Sequence, residues 1–257
     1  MPRIDGCPVS DCLLVNLNNT WAKFCPLLRG RLGRVTRLPT RELDAARLRP
    51  LARAHPGLPL LVASVVPAAR TALAQVWTES TIHDLGWKKL PGLRIRYPHP
   101  ERIGADRLAN AIAVVHLHRT PAIVVDLGTA LTFDIISPEN EYLGGVIAPG
   151  LRAFTDYLHE RTALLPRVTL RRPRRAIGKS TEEAICIGAY HGYRGLIQEV
   201  LQQVRREFRG RRPTLIATGG DALLLAGRLP GITVTDPLLT LRGLKIVAEH
   251  RLARNDE

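Results

Sequence analysis

Short apolar runs alternate with stretches of helical spacing along most of this chain. The apolar runs predict buried strands at CLLVNL (12–17), LPLLVASVV (58–66), PAIVVDLG (121–128), LTFDII (131–136) and TLIATGG (214–220). Helical spacing predicts helices over 40–54, 105–116, 181–204 and 239–253. The first of these begins with TREL (40–43), a sequence typical of a capping box. Strands that alternate with helices predict an α/β fold with a largely buried sheet.

One strand-and-turn pattern occurs twice. VNLNNT (15–20) and VDLGTA (125–130) both place a polar turn directly after an apolar strand. The repetition predicts a duplicated architecture with a break near residue 119. We therefore expect an N-terminal lobe over 1–118 and a C-terminal lobe over 119–257.

Composition narrows the class of protein. The 257 residues include 37 Lys and Arg against 23 Asp and Glu, a formal net charge of +14. Arginine clusters at 29–53, 167–175 and 205–212 permit binding to nucleic acid or another acidic partner, and they fit an Arg-rich solvated surface equally well. The sequence has no secretory h-region and no apolar run long enough to span a membrane, so we expect a cytoplasmic protein without a membrane partner.

The cysteines indicate a reducing compartment. None forms a CxxC pair or has a histidine at zinc-ligand spacing, so reduced structural thiols are expected at all four positions, Cys7, Cys12, Cys25 and Cys186.

The segment VVDLGTALTFD (124–134) carries the first candidate chemistry. Asp126 ends an apolar strand and can serve a cation, while Gly128 and Thr129 form a turn that can approach a phosphate. An ordinary hairpin whose Asp and Thr cap the turn explains the same residues. TGGDA (218–222) adds a second strand end that meets a helix N-terminus, a favourable place for an anion.

Seven motifs in order resemble one known family, the type III pantothenate kinases. They are GADR (104–107), DLGTALTFD (126–134), GGVIAPG (144–150), TALLP (162–166), HGYRGL (191–196), TGGDA (218–222) and LTLRGL (239–244). The resemblance implies two ribonuclease-H-like (actin-like) lobes with mixed sheets flanked by helices and a central cleft. It also implies ATP-dependent phosphorylation of pantothenate to 4'-phosphopantothenate, the first step of coenzyme A biosynthesis. A homodimer, Mg²⁺ and a monovalent cation, K⁺ or NH₄⁺, belong to the same expectation.

The resemblance also implies roles for individual residues. Asp106 corresponds to the general base, Asp126 to the ligand of the monovalent cation, and Thr129 to a contact with an ATP phosphate. The pantothenate pocket is expected to be lined by Tyr97, Gly104, Ala105, Asp106, Arg107 and Thr181, with Thr181 reaching across the dimer. Without the resemblance, Asp106 and Arg107 form an ion pair at a helix start, Tyr97 is a half-buried loop aromatic and Thr181 is a helix N-cap.

The chain departs from the family in its N-terminal phosphate loop. The family pattern D-x-G-N-T-x-x-K is expected to bind ATP, and this chain has Asn16, Leu17, Asn18, Asn19, Thr20, Trp21, Ala22 and Lys23 there. Asn18 replaces a glycine with a residue that tolerates left-handed backbone angles. Asn16 brings no negative charge, and a neutral hydrogen bond in place of a charged one costs about tenfold in rate.

Three hypotheses remain open. Another carboxylate such as Asp134 supports the metal and activity is reduced but real. Alternatively, the chain is a catalytically inactive relative that acts as a regulatory or nucleic-acid-binding factor. The third hypothesis keeps the fold and changes the acceptor to another small hydroxy acid.

Overall fold

The computed structural model describes residues 11–252 except 226, 228 and 230. The chain divides into two compact units, the first formed by Met1–His118 with Leu238–Glu257 and the second by Arg119–Pro237. The first boundary falls between His118 and Arg119, and residues 238–252 group with the first unit.

The elements are as follows in chain order. The strands are β1 (Cys12–Leu17), β2 (Trp21–Leu28), β3 (Arg31–Leu32), β4 (Thr36–Pro39), β5 (Leu60–Ser64), β6 (Ile82–Asp84), β7 (Arg94–Ile95), β8 (Ala122–Leu127), β9 (Ala130–Ile136), β10 (Glu141–Pro149), β11 (Thr214–Thr218) and β12 (Val234–Thr235). The helices are α1 (Ala45–Ala54), α2 (Pro67–Val76), α3 (Ala105–Leu117), α4 (Leu151–Arg161), α5 (Thr181–Glu207), α6 (Ala222–Leu225) and α7 (Leu239–Leu252).

The sheet of the first unit has the strand order β3-β2-β1-β5-β6, and β4 also pairs with β2. β1 is antiparallel to β2 and parallel to β5, and all of its residues are buried. Leu13, Val15 and Leu17 pack into an apolar cluster with Leu48 of α1 and Leu73 of α2. Successive side chains of a strand point to opposite faces, so Asn16 lies on the other face of this sheet. α7 contacts β1 and α3 contacts β5.

Helices α3 and α7 are in very close contact, which explains why the C-terminal residues belong to the first unit. A Cβ added at Gly243 would overlap the backbone oxygen of Ala109, so only glycine permits this approach. The buried Thr240 hydroxyl donates to Oδ1 of Asn110 at 2.8 Å. Both contacts join α7 to the middle of α3.

The strands of the second unit follow the order β12-β11-β8-β9-β10. β8, β9 and β10 are antiparallel neighbours, whereas β11 is parallel to β8 and β12 is parallel to β11. Tyr193 and Ile197 of α5 pack with Phe133 and Leu215 of the sheet. The first unit repeats this succession of antiparallel and then parallel strands, and the predicted α/β class with two mixed sheets flanked by helices is confirmed.

The predicted start of the first helix is wrong. Thr40–Glu42 is a separate 3₁₀ turn, and α1 begins only after Asp44. The Asp44 carboxylate accepts a hydrogen bond from the Arg47 N–H at 2.8 Å, so Asp44 is the N-cap and TREL forms no capping box. The Thr40 hydroxyl instead donates to the backbone oxygen of Asn18 at 2.6 Å.

Cys12, Cys25 and Cys186 are free and buried, as expected for reduced structural thiols, and Cys7 lies outside the described residues. Burial raises the pKa of the Cys12 thiol to about 12 and also raises the pKa of Cys25. The thiols of Cys12 and Cys25 are therefore kept neutral. Within the described part of the chain, no helix has the length and apolar character needed to cross a membrane.

Candidate active site

The N-terminal loop joins two neighbouring antiparallel strands. Asn16 and Leu17 end β1, residues 18–20 form the turn, and Trp21, Ala22 and Lys23 begin β2. Thr40 anchors the turn through the hydroxyl bond to Asn18 and through its own N–H, which donates to the oxygen of Thr20 at 3.0 Å. Asn19, Thr20 and Trp21 are exposed at the tip. The loop residues expected to bind ATP thus form one anchored hairpin.

Asn16 is completely buried. Neither its Oδ1 nor its Nδ2 has a hydrogen-bond partner among the residues described, and Lys23 pairs with it across the hairpin. The Oδ1 of Asn18 is also buried without a partner in this part of the chain. Asn18 is not among the residues with positive φ, so the left-handed angle expected from its glycine counterpart is not used.

Asp106 lies in the first turn of α3. The Arg107 N–H donates to its Oδ1 at 2.8 Å. Burial raises the pKa of the Asp106 carboxyl, against the opposing effects of this hydrogen bond and of the Arg107 charge. A Cβ at Gly104 would lie 2.7 Å from the same oxygen, so glycine leaves room for the carboxyl. A partly buried carboxyl with a raised pKa is suited to accept a proton.

Two contacts connect the start of α3 with the end of β1. A Cβ at Gly104 would lie 3.4 Å from Cγ1 of Val65, and the Val65 N–H donates to the oxygen of Leu17 at 3.1 Å. Asp106 therefore lies at the end of the first unit's sheet where the 16–23 loop leaves β1. The structure brings the expected base and the expected phosphate loop together within this unit.

The remaining pocket residues are distributed over the two units. Tyr97 of the first unit follows β7 and is 41% exposed. Thr181 of the second unit is the first residue of α5 and is also exposed. The helix N-cap is Ser180, whose hydroxyl accepts from the Glu183 N–H at 3.2 Å, so the reading of Thr181 as N-cap is wrong. The roles of Tyr97 and Thr181 toward pantothenate stay predictions.

The second unit places two glycine turns side by side at the ends of parallel strands. Asp126 on β8 pairs with Thr218 on β11. Gly219 has φ +97, and a Cβ there would lie 2.5 Å from Oδ1 of Asp126. The Asp221 N–H donates to the oxygen of Leu127 at 2.9 Å. The backbone approaches Asp126 so closely that only glycine fits at 219.

Three side chains near Asp126, those of Asp221, Arg152 and Tyr193, were not predicted as site residues from the sequence. Burial raises the pKa of Asp221, while the Arg152 charge opposes this. Burial also raises the pKa of the Tyr193 hydroxyl, and the charges of Asp221 and Asp126 raise it further. Tyr193 belongs to HGYRGL and Asp221 to TGGDA, so both were visible as motif members. The carboxylates of Asp126 and Asp221 give this end of the sheet a negative electrostatic potential, which favours a cation.

A divalent metal does not fit the N-terminal loop. Asn16 supplies an uncharged amide where the family pattern has a carboxylate, and one of its two cross-strand neighbours is the cation Lys23. In the described ranges, no group of three or more His, Cys, Asp or Glu side chains could hold a metal ion. Asp134 lies buried within β9, where its Oδ1 accepts from the Tyr142 hydroxyl at 2.8 Å, and its support of a metal stays a prediction.

The Arg-rich segment 167–175 lines a groove of the second unit. Its five arginines, Arg167, Arg171, Arg172, Arg174 and Arg175, are exposed. Glu182 and Glu183 of α5 line the same groove, so its walls carry both signs of charge. An acidic partner would meet attraction and repulsion there.

Comparison with known proteins agrees with this geometry. A family model described as type III pantothenate kinase matches residues 12–203. The type III pantothenate kinase of Akkermansia muciniphila is 44% identical over 241 residues, covering 92% of this chain and 97% of that protein. The type III pantothenate kinase of Methylacidiphilum infernorum is 37% identical over 243 residues, covering 94% and 89%. The solved structure of a Baf family protein from Campylobacter jejuni has a TM-score of 0.62 at 22% identity, covering 93% and 98%, and shows likeness of fold.

The two mixed sheets, the glycine turns at the strand ends of the second unit and the family match together define the class, a kinase. The family follows from the match over most of the chain and from relatives of nearly equal length. The chain belongs to the type III pantothenate kinase family.

Proposed function

We propose that this chain transfers the γ-phosphoryl group of ATP to the primary hydroxyl of pantothenate, the first step of coenzyme A biosynthesis. The observation that carries the proposal is Asp106, a partly buried carboxyl with a raised pKa at the same sheet end as the 16–23 loop. Membership of the kinase family supports ATP as donor.

Asp106 acts as the general base. Its carboxylate accepts the proton of the pantothenate hydroxyl while the hydroxyl oxygen bonds to the γ-phosphorus and the bond to the ADP oxygen breaks. The Arg107 N–H holds the carboxylate in place at 2.8 Å. Because burial makes this carboxylate a stronger base than an exposed one, the proton transfer is easier at neutral pH.

Each unit contributes ligand contacts of its own to this proposal. Residues 16–23 of the first unit and Thr129 of the second contact ATP. Tyr97 and the Gly104–Arg107 turn contact pantothenate, and Thr181 does so from a second copy of the chain in a homodimer. Asp126 holds K⁺ or NH₄⁺, which would supply positive charge beside the phosphates, and the neighbouring Asp221 charge supports a cation at this place.

A coupled assay of ADP release with ATP and pantothenate tests the proposal. Asp106→Asn should lower kcat at least about a hundredfold, since it removes the general base and keeps the shape. Glu101→Gln is the matched control, because Glu101 is an exposed carboxylate just before the same helix. Full activity in Asp106→Asn, or no pantothenate turnover by the parent protein with any cation, would contradict the proposed function.

The same assay with K⁺, NH₄⁺ or Na⁺ tests the cation. Asp126→Asn should remove the stimulation by K⁺ and NH₄⁺, because the amide has no charge to hold them. Stimulation that survives in Asp126→Asn would assign the cation to other residues. The same assay with other small hydroxy acids in place of pantothenate tests the alternative acceptor. Faster turnover of one of them than of pantothenate would favour that alternative.

A further inference from the structure

Four neighbouring strands of the first unit place one residue each in a single row. Asn16 on β1 pairs with Lys23 on β2 and with Ala63 on β5, and Lys23 pairs with Arg37 on β4. Directly paired residues point to the same face of a sheet, and neighbouring strands are about 4.8 Å apart. We call Arg37, Lys23, Asn16 and Ala63 the Asn16 row.

The charge of the Asn16 row is positive. It contains two cations, one amide and one methyl group, and none of its four members is acidic. Arg37 is exposed and Lys23 is half-buried, so ligand groups can reach both. An Asp in place of Asn16 would neutralise one of the two cations.

Within the Asn16 row, Asn16 is the residue that indicates a bound ligand. It is fully buried, and both polar atoms of its amide lack a partner among the described residues. A buried amide without hydrogen bonds is costly, and native structures rarely leave one unpaired. Its Nδ2 can donate to an anion, which the adjacent Lys23 charge would attract.

The row lies on the sheet face opposite the cluster formed with α1 and α2, since Leu13, Val15 and Leu17 occupy that cluster. Asp106 lies near the end of β1, where Gly104 approaches Val65 and Val65 bonds to Leu17. A phosphate bound by the row would therefore lie at the sheet end that carries the proposed base.

We propose that Arg37 is a further nucleotide-binding residue, which binds the polyphosphate beside Asn16 and Lys23 of the 16–23 loop without a metal ion between them. The inference rests on the proposed kinase function. A carboxylate at position 16 would repel the phosphates unless a metal ion lay between them, whereas the Asn16 amide donates to them. Nucleotide affinity of this chain should consequently depend little on Mg²⁺.

Isothermal titration of the full chain with the non-hydrolysable ATP analogue AMPPNP tests this, once in excess Mg²⁺ and once in excess EDTA. We expect the Kd of the parent protein to differ by less than about threefold between the two conditions. Asn16→Asp should weaken binding about tenfold in EDTA and recover it in Mg²⁺, because only the metal relieves the repulsion. Arg37→Gln should weaken binding about tenfold in both conditions, while Arg37→Lys keeps most of the affinity.

Arg31→Gln is the control, because Arg31 is an exposed arginine on neighbouring β3 outside the row. Thermal melts check that every variant is folded. The proposal would be overturned if EDTA weakened AMPPNP binding by the parent protein as much as by Asn16→Asp. It would also be overturned if Arg37→Gln and Arg31→Gln bound AMPPNP with the same affinity. Metal-independent AMPPNP binding without pantothenate turnover would support the row and contradict the kinase function, so the two failures are distinguishable.

Discussion

Replacement of Gly243 by alanine tests how closely α7 must approach α3. A Cβ at 243 would lie 2.6 Å from the carbonyl carbon of Ala109, nearer than real Cβ atoms come to other atoms. The obstacle is the backbone of another helix, so no side-chain rotation can relieve it. α7 must therefore move away from α3.

The magnitude follows from three effects on the free energy of unfolding. Overpacking costs about 1–3 kcal/mol. Separation of the helices also breaks the buried bond between Thr240 and Asn110, which costs about 1–3 kcal/mol. Alanine returns about 1 kcal/mol through its better helix propensity. We expect a net loss of about 3 kcal/mol, which lowers Tm by about 6–12 °C in a chain of this size.

Thermal unfolding followed by circular dichroism measures the effect. Gly195→Ala is the matched control, because Gly195 lies exposed in α5 and a Cβ there meets no atom within 4 Å. Its Tm should stay unchanged or rise slightly. The packing argument would be refuted if the Tm of Gly243→Ala equalled that of the parent protein, or if it fell no further than the Tm of Gly195→Ala.

Three further predictions concern pH, thiols and charge. The acid limb of the kcat/KM profile should have its midpoint above pH 3.8, because a raised pKa leaves the Asp106 base protonated as pH falls; a midpoint at or below this value would contradict its role. Native protein at pH 8 should resist alkylation at Cys12 and Cys25, which mass spectrometry reads by peptide, and denaturation should expose both. DNA should retain the chain only at low salt, because acidic residues share the groove of segment 167–175; retention at physiological salt with a steep salt slope would favour a nucleic-acid-binding role.

Sequence reasoning found β1, β5, β8, β9 and β11 as apolar runs and missed β2. β1 and β8 appear as continuous apolar runs because both strands are almost wholly buried. β2 was missed, since WAKFCPLL interrupts its apolar positions with lysine and proline and buries them irregularly. α2 was missed because PAARTALAQV buries only Ala69 and Leu73, too few positions to mark a helical face.

Some residues of the candidate site can be predicted from local motifs, whereas others depend on contacts between distant parts of the sequence. Asp106 stands in a local motif that the resemblance identifies, but its raised pKa depends on burial, which no motif encodes. Asp221 and Tyr193 influence each other across distant parts of the sequence. Arg37 joins Asn16 only through the register of β4 on β2 and of β2 on β1. Cross-strand register had to be seen in the structure.

The return of α7 to the first unit has a consequence for the order of assembly during synthesis. The second unit is continuous from Arg119 to Pro237, so all of it emerges from the ribosome before α7 does. The first unit must wait for α7 to cover α3, although its sheet is made first. The unit that carries Asp106 is therefore completed last, and a nascent chain without α7 has its proposed base on an incompletely packed helix.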